Sequence, residues 1–165
     1  MESSNPKQAA VSSIRHLCFS LGEEEYAVPL AHVREVIELP EVTPMPHSPA
    51  HYRGIMNLRG QILSIIDLRL KIKGSKQEAS NTSAVIILDF ESFFVGVVVS
   101  SVNRVVPFEV DEIKEPPRLE NSHKLDYIGG VVQRDKKLIL VLDVAKALNV
   151  EDLRAIQTHS TVKAA

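Results

Sequence analysis

The sequence predicts an all-β fold, a barrel or sandwich, made of two similar halves. Three observations carry this. Short runs rich in Val, Ile and Leu recur, broken by turn signals every 8 to 12 residues. Helical periodicity is weak until the end of the chain. The two sides of a polar mid-chain segment also repeat each other.

Residues 1–13, "MESSNPKQAAVSS", are polar, lack an apolar signal core and read as a disordered tail. "HLCFSL" and "EYAVPL" follow as strands, joined by the charged turn "EEE" at 23–25. "GIMNL" and "QILSIID" read as a hairpin with Arg59 and Gly60 at its tip. "DLRLKI" is a helical turn opened by Asp67 as N-cap. "KGSKQEASNTS", 73–83, carries no large apolar residue and reads as a linker. "SAVIILDF" and "FFVGVVV" are apolar on both alternating faces, as expected of strands buried on both sides or of strands that bind partners. "YIGGVVQ" and "LILVLD" form a second hairpin, and "DVAKAL" is a second helical turn, opened by Asp143. "NVEDLRAIQTHS" predicts a C-terminal helix over 149–158, capped by Asn149, with a flexible tail at 159–165.

The repeat sorts these residues. Tyr26 aligns with Phe94 at an offset of 68; after a one-residue insertion, Val33 aligns with Val102 and Val36 with Val105 at 69. Gly54 aligns with Gly130 and Asp67 with Asp143 at 76. Two β subdomains related by a pseudo-twofold axis are expected. Features in both copies belong to the framework: the glycines at bulges or close backbone approaches, the aspartates as caps, the four valines as core. Arg59 faces Asp135, Gly60 faces Lys136 and Glu35 faces Arg104. Arg59 and Glu35 are therefore free to serve function. The second hairpin is expected to close by different turn chemistry.

Composition narrows the chemistry. The 165 residues, 44% hydrophobic and 24% charged with a net charge of −2, suit a soluble globular chain with no general attraction for nucleic acid or anionic membrane. The longest apolar run is about seven residues, against the roughly 20 that span a bilayer, so direct membrane insertion is not expected. Cys18 is the single cysteine, which fits a reducing, cytoplasmic setting. His47-x3-His51 has helical ligand spacing, but the three prolines of "PMPHSPAHY" oppose a helix and carboxylate ligands are lacking nearby. There is no glycine-rich phosphate loop and no nucleophile elbow. An enzyme is not expected, nor a cofactor or metal.

"FSLGEEEYAVPLAHVREVIE", "PAHYRGIMNLRGQILSIIDLRLKI" and "FVGVVVSSVNRVV" resemble the CheW family of chemotaxis coupling proteins, over about residues 15–157, with "GIMNLRGQILSIIDLR" the most specific part. The resemblance implies a CheW-like domain at 14–157 formed by two intertwined five-stranded SH3-like barrels, the first mainly 14–72, the second mainly 84–148, followed by the C-terminal helix. It implies no catalysis. It implies an adaptor between the cytoplasmic tips of methyl-accepting chemotaxis receptors and the regulatory domain of the histidine kinase CheA, with ring contacts to other CheW-like proteins and a groove between the barrels for the receptor's helical hairpin. It associates Arg59 with coupling and Val33, Glu35 and Gly54 with receptor binding, and puts Val98, Val99 and Val102 on the opposite groove wall. Two positions depart from the family pattern. Ser64 stands where proline is common, which is expected to loosen a strand. Ser100 stands where aspartate is common, which leaves a variant pathway or a pure ring scaffold as the alternative function.

Overall fold

The structure, a computed structural model, describes residues 13–74, 81–91, 93–117, 126–148 and 152. Its strands are β1 (Ser13–Leu21), β2 (Glu24–Pro29), β3 (Val33–Glu38), β4 (Tyr52–Leu58), β5 (Gln61–Asp67), β6 (Ala84–Asp89), β7 (Phe94–Val99), β8 (Ser101–Glu109), β9 (Ile128–Arg134) and β10 (Lys137–Leu142). Short helical pieces are α1 (Leu68–Lys73), α2 (Val144–Ala147) and the 3-10 turns Leu30–His32 and Val110–Glu112. The expected tail at 1–13 lies outside the described residues except Ser13, which opens β1. Most of the linker and the tail at 159–165 also lie outside them. So does the helix at 149–158, apart from Asp152, which is helical and buried.

The strands form two five-stranded sheets, ordered β8-β1-β2-β10-β9 and β3-β6-β7-β5-β4. Replacing each strand of the second sheet by its counterpart five places along the chain reproduces the first, as the duplication requires. The division into sheets does not fall at the linker, however. The second sheet is the continuous one, from Val33 to Val99, and the first unites both ends of the domain. The expected split into 14–72 and 84–148 is corrected accordingly. Its cause is the pairing at the middle of each sheet: β5–β7 and β2–β10 are parallel, and parallel neighbours cannot be joined by a tight turn. Each copy therefore contributes hairpins to both sheets. Backbone bridges then tie opposite edges. Thr43, after β3, exchanges hydrogen bonds of 2.9 Å with Ile55 of β4, and Lys114, after β8, exchanges bonds of 2.9 and 2.8 Å with Val131 of β9.

Register refines the repeat. Phe19 pairs with Tyr26 and Val102, while Leu88 pairs with Val95 and Val33. Tyr26 therefore corresponds to Val95, not Phe94, and an offset of 69 holds without an insertion. Matching the two aromatics set a fully inward residue against a half-buried one on the other face, because a one-residue slip in a strand changes face.

Three cores result. Cys18, Ala27, Val106, Phe108, Val132 and Ile139 form a core on one face of the first sheet. Met56, Leu63, Ile65, Val85, Ile87 and Val98 form one on a face of the second. A larger core, including Phe19, Tyr26, Ile66, Ile86, Leu88 and Val97, lies between the sheets. The runs of β6 and β7 are thus buried on both faces. Of the four recurring valines, Val33 and Val102 are half-buried and pack on the inter-sheet core, but Val36 and Val105 are 41% and 48% exposed. The last two lie on edge strands, where no further strand covers them.

The framework pairs hold. Gly54 and Gly130 both sit beside register irregularities. A Cβ on Gly54 (φ +136°) would lie 2.0 Å from Thr43 O, and one on Gly130 would lie 2.3 Å from Ile113 Cγ2. Asp67 Oδ1 accepts from the N–H groups of Arg69 (3.1 Å) and Leu70 (3.3 Å), and Asp143 Oδ1 from that of Lys146 (3.2 Å). Ser64 is buried and its hydroxyl hydrogen-bonds that of Tyr52 at 2.7 Å, so it cross-links β4 and β5 rather than loosening a strand.

Candidate partner-binding site

Both hairpin tips put their two central residues at positive φ: Arg59 at 51° and Gly60 at 88°, Asp135 at 50° and Lys136 at 66°. This is the two-residue turn whose twist matches the flanking strands. The turns therefore share one geometry, and only their residues differ, contrary to the expected difference in turn chemistry. In the first, Asn57 Oδ1 also accepts from Gly60 N at 2.8 Å.

Left-handed geometry favours Gly, Asn and Asp, not Arg. What Arg59 gains is an ion pair. Its Nη1 and Nη2 donate to Glu35 Oε1 and Oε2, both at 2.9 Å, in a two-pronged fork. The Arg59 side chain remains 72% exposed. Exposed pairs contribute only ~0.2–1 kcal/mol, so this one does little for the fold. It does hold a guanidinium in a defined place on the surface, with the outer face of the fork open to a second acceptor.

Glu35 reaches the tip because β3 is irregular. Val33 pairs with Leu88 and Glu35 with Ile87, leaving Arg34 as the additional residue of a bulge. Arg34 places its guanidinium 4.3 Å from the centre of the Phe94 ring. Arg34 and Phe94 thus form a cation–aromatic pair on the residue next to Glu35, and sequence reasoning missed both. No local signal marks a bulge. The only pointer was the repeat, since Asn103 is the extra residue of β8 and lies 3.2 Å from Glu25, the counterpart of Phe94.

The remaining candidates divide. Val33 and Val102 border the inter-sheet core from opposite sheets and keep some exposure. Gly54 is buried at its bulge beneath Thr43 and acts on the backbone. Val98 and Val99 have no exposed surface: the first lies in the second sheet's own core, the second between the sheets. Their assignment to a groove wall is corrected, because every side-chain position from Val95 to Val99 is enclosed by the central placement of β7. Ser100 Oγ accepts from Gly22 N at 3.0 Å, fastening the β7–β8 turn to the β1–β2 turn.

His51 and Cys18 are engaged in structure. His51 Nε2 lies 2.5 Å from Asp152 Oδ1, and Lys71 Nζ 3.0 Å from Asp152 Oδ2, so His51 ties the end of the domain to β4 instead of pairing with His47. Among the described residues no group of three potential ligands could hold a metal ion. The Cys18 thiol is buried and pushed up to about 11, first by burial and then by the Glu25 charge, which makes it a poor nucleophile. Among the described residues no helix is long and apolar enough to cross a membrane.

Comparison with known proteins matches residues 15–152 to the CheW-like domain. The chain is 30% identical to the chemotaxis protein CheW of Treponema pallidum over 142 residues, covering 84% of each, and 30% identical to that of Klebsiella aerogenes over 140 residues, covering 85% of this chain and 84% of the relative. The crystal structure of the scaffolding protein TtCheW from Thermoanaerobacter tengcongensis superposes with a TM-score of 0.75 at 29% identity, covering 84% of this chain and 90% of that one. With a duplicated ten-strand fold, the hairpin motif "NLRG" and a domain match spanning nearly all of the described residues, the chain belongs to the CheW family.

Proposed function

We propose that this protein is a non-catalytic adaptor that couples the cytoplasmic tips of chemoreceptors to the histidine kinase CheA in bacterial chemotaxis arrays. It acts in the cytoplasm and is drawn to the membrane by its partners. The observation that carries this reading is the Arg59–Glu35 fork: a charged pair fixed on an exposed tip that the fold itself does not need. Family membership supports it, as do relatives named chemotaxis proteins. Val33 and Val102 offer the apolar part of a contact at the rim between the sheets, where a helical hairpin can lie.

The test is reconstitution of kinase output from purified receptor signalling tips, CheA and this protein. Arg59→Ala and Glu35→Ala are expected to keep the melting temperature and lose most of the activation. Full activation by both variants would sink the reading. A ring-forming scaffold that transmits no activation is the second reading, favoured by Ser100. This residue stands where the family commonly carries aspartate, and its hydroxyl is committed to Gly22. Ring assembly without kinase stimulation by the unaltered protein would select it, and Ser100→Asp would then restore stimulation.

A further inference from the structure

The two halves treat their capping aspartates differently. Asp67 is buried and doubly neutralised. Arg69 donates Nε to its Oδ1 at 3.1 Å and Nη2 to its Oδ2 at 3.0 Å, and Arg53 Nη1 lies 3.5 Å from Oδ2. Arg69 is itself 1% exposed and also donates to Ser83 Oγ at 3.3 Å. At the offset of 76, Asp143 takes the place of Asp67, Ala145 that of Arg69 and Gly129 that of Arg53. Both arginines are thus deleted around Asp143. Its Oδ1 still caps α2, but among the described residues no cation lies within ion-pair distance of the carboxylate.

The deletion leaves room. A cavity of about 310 Å³ opens at this place, lined by Asp143, Ala145 and Gly129 themselves and walled by Val28, Leu88 and Phe90. It is apolar apart from the carboxylate and the His32 imidazole at its edge. A planar, weakly hydrated guanidinium suits such a site better than a compact ammonium: it forks a carboxylate and stacks on a ring. The low-dielectric wall strengthens the pair. The other half of the same molecule demonstrates the occupant, since the equivalent carboxylate there is closed by arginine.

We infer that Asp143 and the cavity beside it form a receptor site for an arginine side chain presented by a partner polypeptide, which completes in trans the pair that Arg69 makes in cis at Asp67. This goes beyond the coupling reading, because it requires a partner's arginine and not any particular partner.

The test uses the full 15N-labelled chain titrated with N-acetyl-arginine amide, followed by amide shifts. Saturable shifts are expected at Gly129, Val144 and Ala145 but not at Leu68 or Gly54, with an apparent Kd of about millimolar for a ligand of this size. N-acetyl-lysine amide is expected to bind at least fivefold more weakly. Ala145→Arg, which grafts the cis arginine, and Asp143→Asn are each expected to abolish the response. Two variants are used so that a folding defect in one leaves the other to decide. Absence of shifts in the unaltered protein, or equal shifts in Ala145→Arg, would overturn the proposal. So would a response that appears only after Arg118→Ala or Arg154→Ala, because the occupant would then be the chain's own arginine. The readout involves neither receptor nor kinase, so its failure is separate from failure of the coupling reading.

Discussion

The hairpin tips at Leu58–Gln61 and Arg134–Lys137 share backbone geometry, sheet position and neighbouring bulge, yet they use arginine in opposite ways. At the second tip the arginine stands one residue earlier. Arg134 forks Glu112 at 2.8 and 3.0 Å, donates to Pro107 O at 2.8 Å and lies over Phe108 with its Cζ 5.2 Å from the ring centre. Its Nε, Nη2 and guanidinium face all serve the fold. At the first tip Arg59 stands in the turn itself, touches only Glu35 among the described residues and stays exposed. A shift of one residue moves an arginine from a packed and hydrogen-bonded place to an exposed one. Duplicated folds expose such differences because each half is a control for the other.

Breaking the framework common to both halves has the largest effect. Gly54→Ala is expected to cost ~3 kcal/mol or more, since φ +136° excludes a side chain and the new Cβ meets backbone. Gly130→Ala meets a side-chain methyl of Ile113 instead of backbone, at an ordinary φ, and is expected to cost ~1–3 kcal/mol. Urea unfolding measures both, and equal losses would mean that the two corners are equivalent after all. Arg134→Ala comes next, at roughly 1–2 kcal/mol from lost packing on Phe108 and the lost bond to Pro107. Lys136→Gly relieves a left-handed lysine and is expected to raise stability by ~1 kcal/mol, seen as a higher Tm. Arg59→Ala should change stability by less than ~1 kcal/mol. If it destabilises as much as Arg134→Ala, the contrast between the tips disappears.

The smallest effect depends on pH. The Arg134 guanidinium, and then the Glu109 backbone, hold the Glu112 carboxyl down at about 2, below its usual 4.5. A depressed carboxyl contributes stability above its unfolded value and loses it as pH falls through the folded one. The difference in Tm between the unaltered protein and Glu112→Gln should therefore be constant above about pH 5 and shrink between 4.5 and 2. A difference that grows on acidification would reverse the assignment.

Much of this was legible in the chain. Alternation and turn spacing identified the strands, and the repeat identified the glycine corners and the capping aspartates, because each is a local demand written twice. Arg59 and Glu35 were singled out by their failure to repeat, although nothing in the sequence joined them to each other. The swapped division of the sheets was not legible, because parallel pairing between halves leaves no short-range mark. The bulge at Arg34, in the antiparallel β3–β6 pair, has no local sequence signal either, and the contact to Phe94 was hidden with it. Val98 and Val99 were misplaced because an apolar strand reads alike whether it lines a groove or sits in the centre of a sheet.

The exchange of strands between halves also governs the order of assembly. During synthesis, β1 and β2 emerge about a hundred residues before β10, the parallel neighbour of β2. The continuous sheet from Val33 to Val99 has all its strands available long before that. It can close first, while the opening hairpin waits with one edge unpaired, a hazard for nascent strands. The long loop closed by β2–β10 is expected to make completion of the first sheet the slower step, which stopped-flow refolding checks. On this order the sheet that carries the exposed Arg59 tip is complete before the sheet that contains β1.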